Sequence, residues 1–386
     1  MTRHAAVTGV GMTATTSPNR QSRSKIELCQ EAVDLALRHA GRSRADVDAV
    51  VFGSIDGFES VVTSGKMVVP HLGLRPGTPV YVIHTGGTTG GNLLNLATSL
   101  VRSGAARLAL CIGPNTFDGA TDMQAVVNTA SPVGMEEKLG MGAVHMGALF
   151  PSAYQDRYDI PDDVFVEVSN KHREMAASNP YAHVRQPMDS SISGGEVSTP
   201  LRFGMVCPVS SGATAVLVGA EDEVAPGRPV VRVKAYGAVS DGYLGGSKGS
   251  YDSFEPLAIM AERLYRDAGI MSPRDELDVV ELFSPYAPME LMLLEDLQIC
   301  GRGEAPALLR SGATRFGGDL PVNLSGGVHS TNPGVAAQIA PVAYIALQLM
   351  GEAAGGRQVE NARLGLAHSS GGAYFQFHTL AILEAR

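Results

Sequence analysis

A histidine two residues ahead of a glycine pair, His84 in Val82-Ile83-His84-Thr85-Gly86-Gly87-Thr88-Thr89-Gly90-Gly91-Asn92, is the first feature with chemical content. Pro79 to Ile83 is a short β-branched run, and Leu93 to Arg102 repeats apolar residues at helical spacing, so the glycines sit where a strand feeds a helix. The first amides of a helix have no internal partner, and the helix dipole favours negative charge there. Such a turn can hold an oxyanion or phosphate. The alternative is a close-packed turn that needs glycine only for positive φ. A second histidine, His368, stands against another glycine turn in Ala367-His368-Ser369-Ser370-Gly371-Gly372. An imidazole titrates near neutral pH, so either histidine is a base or a structural residue.

The elements that must position these groups fit a chain of 386 residues with 44% hydrophobic and 18% charged content, enough to bury a large core in two or more domain-sized units. The net charge of −9 is spread without a basic block, which argues against nucleic acid or an anionic membrane as the main partner. A small anionic ligand would need local positive groups. No apolar run is long enough for a membrane span, and Met1-Thr2-Arg3-His4 leads straight into a strand without a signal-peptide core, so the expected location is the cytoplasm. Cys29, Cys111, Cys207 and Cys300 lie far apart with no C-x-x-C pair, so neither a disulfide framework nor a metal site is expected.

One pattern is used twice. A periodic helix around Lys25 to Ala40 leads through Gly41 to Asp48 and the apolar strand Ala49 to Phe52; Pro256 to Ala268 leads through Gly269 to Asp278 and Val279 to Phe283. Ala106 to Cys111 likewise matches Ala362 to Ala367, each after a long helix. Two similar α/β halves follow, residues 1–225 and 226–386, divided at Ala225-Pro226-Gly227. Residues from about 115 to 202 have no counterpart and read as an inserted loop region able to cover a site. Strands alternating with helices predict mostly parallel sheets.

In this arrangement the chain resembles the thiolase superfamily, specifically the lipid-transfer-protein or sterol-carrier type. The resemblance spans nearly the whole chain. It rests on the turn Gly87 to Gly90, Lys171-His172-Arg173 with Ser178-Asn179-Pro180-Tyr181, Cys207-Pro208-Val209-Ser210-Ser211-Gly212, Leu294-Glu295-Asp296-Leu297 with Cys300-Gly301-Arg302-Gly303-Glu304, and Leu320-Pro321-Val322-Asn323-Leu324-Ser325-Gly326-Gly327. It implies the thiolase fold: duplicated α/β halves packed as a layered αβαβα sandwich, with the insertion carried in the first half. Thiolases place an acylated cysteine where this chain has Gly87, a histidine where it has Asn332, and a second cysteine, the acid and base, where it has Ser369. A serine is too weakly acidic to replace that thiol unaided.

These departures imply chemistry without an acyl-enzyme. The amide of Gly87, with Gly371 opposite, can persist as an oxyanion hole, which suits the enolate formed when a β-hydroxyacyl-CoA is cleaved by a retro-aldol step. The chain looks similar to the thiolase-like aldolases of steroid side-chain degradation, where glycine also replaces the cysteine and a histidine, here His84, precedes the turn. That likeness implies an acyl-CoA substrate, with coenzyme A entering only as part of it, no tightly bound cofactor, and a small partner bearing an OB-fold. Thiolases pair through their first-half sheets, which implies a homodimer or a mixed assembly. Two tyrosines of the better-known branch are unmatched, one falling on Phe283 and the other near Asn332 and Pro333; the closer likeness is to a sister branch.

Tyr286, in Ser284-Pro285-Tyr286-Ala287-Pro288, occupies a loop that faces the reacting carbons in thiolases, as a proton relay or a packed ring. Ser284 is placed to hold a water. Asn332 keeps a donor for a thioester oxygen or water, or simply forms an Asn-Pro turn. His329 is a secondary candidate, and His172 reads as an anchor for the insertion. Cys111 and Cys207 map away from both thiolase cysteine positions. Met135, Met141, Met146 and Met205 line an acyl pocket or pack the core. The leading expectation is an aldolase acting on a sterol or similarly bulky β-hydroxyacyl-CoA. The alternatives are a non-catalytic acyl-CoA-binding subunit and a cysteine-independent acyltransferase.

Overall fold

The computed structural model describes residues 3–59, 63–117, 122–129, 136–186, 194–242, 246 and 248–386. Nine of its strands form one sheet: β1 (Ala5–Met12), β2 (Ala49–Gly53), β3 (Val80–Ile83), β4 (Leu108–Asn115), β7 (Gly212–Ala220), β8 (Val231–Ser240), β9 (Val279–Glu281), β10 (Leu364–Gly371) and β11 (Phe377–Ala385). The short strands β5 (Glu196–Ser198) and β6 (Leu201–Arg202) make a separate ribbon. The main sheet runs β3-β2-β4-β7-β1-β8-β11-β10-β9. Its order is a mirrored repeat, because β8, β11, β10 and β9 stand to the second half as β1, β7, β4 and β2 stand to the first. Even β3 has an echo in the parallel bridge between Val280 and Val322.

The repeated sequence signals have repeated structural causes. The Lys25–Ala40 helix opens with a capping box between Ser24 and Glu27, and both it and the Glu255–Ala268 helix stop at glycines held at φ 64° and 71°, Gly41 and Gly269. These glycines supply the left-handed backbone that closes a helix end. Asp48 Oδ2 accepts from the amides of Arg107 and Leu108; Asp278 Oδ2 accepts from those of Arg363 and Leu364. The aspartate before each apolar strand thus ties that strand to the start of its neighbour.

Three large apolar clusters, with a small fourth of Phe283, Val328 and Ala337, pack the helices on the sheet. The Lys25–Ala40 helix covers one face of the first-half strands, and the Glu255–Ala268 helix, with the buried Met289–Asp296 helix, covers the second. Between them lie the Thr89–Ser103 and Val335–Met350 helices, packed on each other and on both halves.

Two expectations need correction. Among the described residues only the β2–β3, β2–β4 and β9–β10 pairings are parallel, while the five others of the main sheet are antiparallel. The sheet is mixed because β10 returns as a hairpin into β11, and β7 returns after the insertion antiparallel to β4. The insertion is also more regular than a loop region: it carries the helices Ala143–Tyr158 and Asp162–Ala176. Val164, Phe165, Val168 and His172 make the buried stripe of the second helix, whose interleaved acids and bases masked the helical period.

Candidate active site

The glycine turn forms as its sequence requires. Gly86, at φ 59°, turns the chain out of β3, and a single 3-10 turn, Gly86–Thr88, leads into the Thr89–Ser103 helix. Side chains tie the turn down: Thr85 N–H donates to Thr89 Oγ1 at 2.9 Å, and the Thr89 hydroxyl donates to Gly86 O at 2.7 Å. The amide of Gly90 is occupied by Gln338 Oε1 at 3.1 Å. The hydroxyl of Ser369 donates to Gln338 O, so that serine holds the central helix layer in place.

Gly87 meets the end of β10 backbone to backbone. A Cβ on Gly87 would lie 2.4 Å from Ser370 O and 2.5 Å from Gly371 Cα, and one on Gly371 would lie 2.3 Å from Gly87 Cα. The two halves therefore touch where the chain has no side chains to interpose. A cysteine at residue 87 is excluded by space as well as by sequence.

Around the Asn332 turn the structure assembles a small polar cluster. Asn332 and Ser210 exchange backbone contacts, Ser210 N–H donating to Asn332 O and Asn332 N–H to Ser210 Oγ, both at 3.2 Å. The Asn332 amide donates to Cys207 Sγ at 3.2 Å, while its Oδ1 is shut from solvent with no hydrogen-bond partner. Cys207 N–H donates to Pro285 O at 2.9 Å, and Val206 bridges to Tyr286, so the Ser284–Tyr286 segment lies alongside. Burial pushes the Cys207 thiol up to about 11, with the Asn332 hydrogen bond pulling the other way, and burial also raises the Tyr286 phenol. Both stay protonated at neutral pH. Tyr286 is wedged against Gly147 of the insertion, where an added Cβ would lie 2.0 Å from its ring, and meets Phe375 edge-on. Ser284 is fully buried with its hydroxyl unpartnered.

The two leading histidines are not brought to this cluster. His84 is exposed at the end of edge strand β3, beside exposed Tyr81 and Val82, and makes no hydrogen bond among the described residues. His368 is sealed in the second-half core. Its Nε2 lies 3.0 Å from His378 Nδ1, the rings stack, and burial holds its pKa well below the ordinary imidazole value. Its Nδ1 finds no partner. Strand alternation explains the placement: Gly371 and Ser369 face the first half, so His368 and Ser370 face away. His329 is buried too, with Nε2 2.7 Å from Met205 O and its ring edge-on to His172.

Beneath the cluster runs a charge network that the sequence reading only touched. Glu290 receives Lys171 Nζ on one oxygen; on the other it has His172 Nε2 at 2.6 Å and the Asn323 amide at 2.7 Å. Lys171, His172 and Glu290 are all fully buried. Burial alone would raise the Glu290 carboxyl, but the Lys171 and His172 contacts hold it down at about 2. This network pins the insertion to the second half, which is the anchoring expected of His172. Glu290 was readable as a carboxylate in the apolar run Met289–Leu294, a position that demands a partner. Met146 and Met205 lie in the second-half core with Met141 packed against it; Met135 lies outside the described residues. Among the described residues no group of His, Cys, Asp or Glu could hold a metal ion.

Comparisons with known proteins meet this geometry. A family model described as thiolase C-terminal domain-like matches residues 249–385, the half that carries Tyr286, Asn332 and Gly371. The solved "Ltp2-ChsH2(DUF35) aldolase" superposes with a TM-score of 0.81 at 22% identity, covering 99% of this chain and 98% of that one. The chain has the thiolase fold, and its second half matches the thiolase C-terminal family. Sterol carrier protein 2 of Bos taurus is 28% identical over 384 residues, 95% of this chain and 69% of its own length. An acetyl-CoA acetyltransferase of Methanothermobacter thermautotrophicus is 28% identical over 347 residues, 87% and 88% of the two chains. The 17-hydroxy-3-oxo-4-pregnene-20-carboxyl-CoA lyase of Mycobacterium tuberculosis is 27% identical over 343 residues, 84% and 86%. Its relatives thus include both a lyase and an acyltransferase. No helix among the described residues is long and apolar enough to cross a membrane.

Proposed function

We propose that this thiolase-fold chain is a lyase that cleaves a β-hydroxyacyl-CoA by a retro-aldol step. The observation that carries the reading is the Gly87–Gly371 contact, which removes the nucleophile and the space for one. In this reaction the β-hydroxyl proton passes to solvent water, the Cα–Cβ bond breaks, and the bonding pair passes to a thioester enolate while the β-carbon leaves as a carbonyl. The enolate then takes a proton at Cα to give the shorter acyl-CoA. The groups suited to it are the Asn332 amide and backbone N–H groups as donors to the thioester oxygen, and the protonated Cys207 and Tyr286 as proton donors. The lyase relative and the aldolase neighbour support this chemistry, and the steroid acyl-CoA named for the lyase relative supports a bulky, sterol-like acyl chain as the substrate proposed here. A small OB-fold partner is part of the proposal, supported by the ChsH2(DUF35) component of the solved aldolase, as is pairing through the open edge of β3.

A second reading, a non-catalytic acyl-CoA-binding subunit, is favoured by one observation: His84 and His368 both stand apart from the Asn332 cluster. One experiment separates the two. The chain is incubated with a β-hydroxyacyl-CoA, alone and with the OB-fold partner, and carbonyl and shorter acyl-CoA products are followed by mass spectrometry. Cleavage that disappears in a Tyr286→Phe, Cys207→Ala, Asn332→Ala variant with intact assembly supports the lyase. Undiminished cleavage in that complex assigns the chemistry elsewhere, and no carbonyl product at all removes the lyase reading.

A further inference from the structure

Arg173 is the one side chain of the Lys171–Arg173 triplet that the Glu290 network leaves out. It is 8% exposed, yet its Nε and Nη1 have no hydrogen-bond partner, and it forms no ion pair among the described residues. Burying an unpaired guanidinium is expensive, because the charge gives up its hydration with nothing in exchange. A shortage of acids is not the cause: the chain carries 39 acidic and 30 basic residues. Adjacent arginines find theirs, Arg315 on Glu174 and Arg310 on Asp163 and Glu167.

Half-buried His183 feels the charges of both Arg20 and Arg173 which, after burial, hold its pKa below the ordinary value. Arg20 is exposed and also lacks an ion pair among the described residues. The geometry brings both His183 and Arg173 to the candidate site: His183 Nδ1 lies 2.9 Å from Ser210 Oγ, the same oxygen that accepts from Asn332 N–H, and His172, the residue before Arg173, packs its ring on His329, three residues before Asn332.

We propose that Arg173 and His183, with Arg20 at the mouth, form an oxyanion-binding site beside Asn332 that takes a carboxylate or phosphate group of the substrate. The site rests on the acyl-CoA reading only for the identity of the molecule that carries the anion. A guanidinium presents several donors in a fixed plane, so it suits either group, and the free Arg173 donors are satisfied only when the ligand is seated.

The test measures binding to the full chain by calorimetry with three probes: acetyl-CoA, S-acetylpantetheine, which lacks the nucleotide phosphates, and S-succinylpantetheine, which adds a carboxylate to the acyl group. Arg173→Met is expected to weaken the recognised anionic probe at least tenfold and to leave S-acetylpantetheine unchanged, with Arg173→Lys recovering part of the loss. A loss confined to acetyl-CoA identifies a phosphate; one confined to S-succinylpantetheine identifies a carboxylate. Should Arg173→Met fail to fold, His183→Gln and Arg173→Lys carry the same comparison, with a loss of at least threefold expected. Equal binding of all three probes by wild type and variants overturns the site while leaving the lyase reading in place. Tight S-succinylpantetheine binding lost in Arg173→Met, with no acetyl-CoA binding by wild type, keeps the site and removes the acyl-CoA reading.

Discussion

Restoring the missing nucleophile, Gly87→Cys, should damage the fold and leave thiolysis absent. An added Cβ would sit 2.4 Å from Ser370 O and 2.5 Å from Gly371 Cα, against an ordinary contact of 3.4–4 Å, so about 1 Å of overlap must be relieved. Both opposing atoms are backbone, so no side chain can swing aside; the end of β10 or the turn ahead of the central helix has to move. Overpacking of this kind costs about 1–3 kcal/mol, and the upper end is expected where the neighbour is rigid. With an unfolding entropy of about 2.1 cal/mol/K per residue over 386 residues, 3 kcal/mol corresponds to roughly 4 °C in Tm if the chain melts as one unit. The assay is differential scanning calorimetry beside Gly195→Ala, whose Cβ would meet nothing within 4 Å and which should melt at or slightly above wild type. Intact-mass analysis after exposure to a 3-ketoacyl-CoA should show no acyl adduct on the new cysteine. A Gly87→Cys protein with wild-type Tm that acylates and thiolyses would refute the claim that the two glycine turns exclude a side chain.

Two further outcomes follow from the buried carboxylates. Glu290→Ala leaves Lys171 buried without its partner and should cost about 3–5 kcal/mol in chemical denaturation, whereas Lys171→Met with Glu290→Leu should recover much of that loss; equal losses would show that the charges themselves are not responsible. Burial raises Glu281 to about 7, against the donors from Ser325. A folded pKa above the unfolded value means that the native state holds the proton more tightly, so this contribution to stability is complete below about pH 4.5 and is lost as pH rises through about 7. Denaturation midpoints of Glu281→Gln should therefore vary less between pH 5 and pH 8 than those of wild type; an unchanged slope would mean that Glu281 does not titrate in this window.

The duplicated fold was legible because its signals are local and occur twice. Asp48 and Asp278, Gly41 and Gly269, and the paired apolar strands each report a short-range constraint, a helix end or a strand start, that sequence spacing preserves. The site was legible only where comparison supplied a position: Gly87 and Gly371 meet, and Asn332 and Tyr286 flank one segment. That segment carries Cys207, which position in sequence had set aside; its contact with Asn332 spans 125 residues and leaves no local trace. The reading of His368 failed to use a period that was available. If Gly371 faces Gly87, a residue three positions earlier on the same strand faces the other way. The Lys171–Glu290 pair and the isolation of Arg173 depend on how the insertion docks, which neither periodicity nor spacing encodes.

The twin aspartates Asp48 and Asp278 also bear on how such a protein changes its chemistry. Each fastens neighbouring strands at the ends where they begin, whereas the glycine turns, the Ser284–Tyr286 segment and the Asn332 turn lie beyond the ends where strands finish or in loops between elements. Assembly and reactivity are thereby written at opposite poles of the same scaffold. A lineage can exchange its reactive groups one at a time at one pole while the fastenings at the other go on selecting the same architecture.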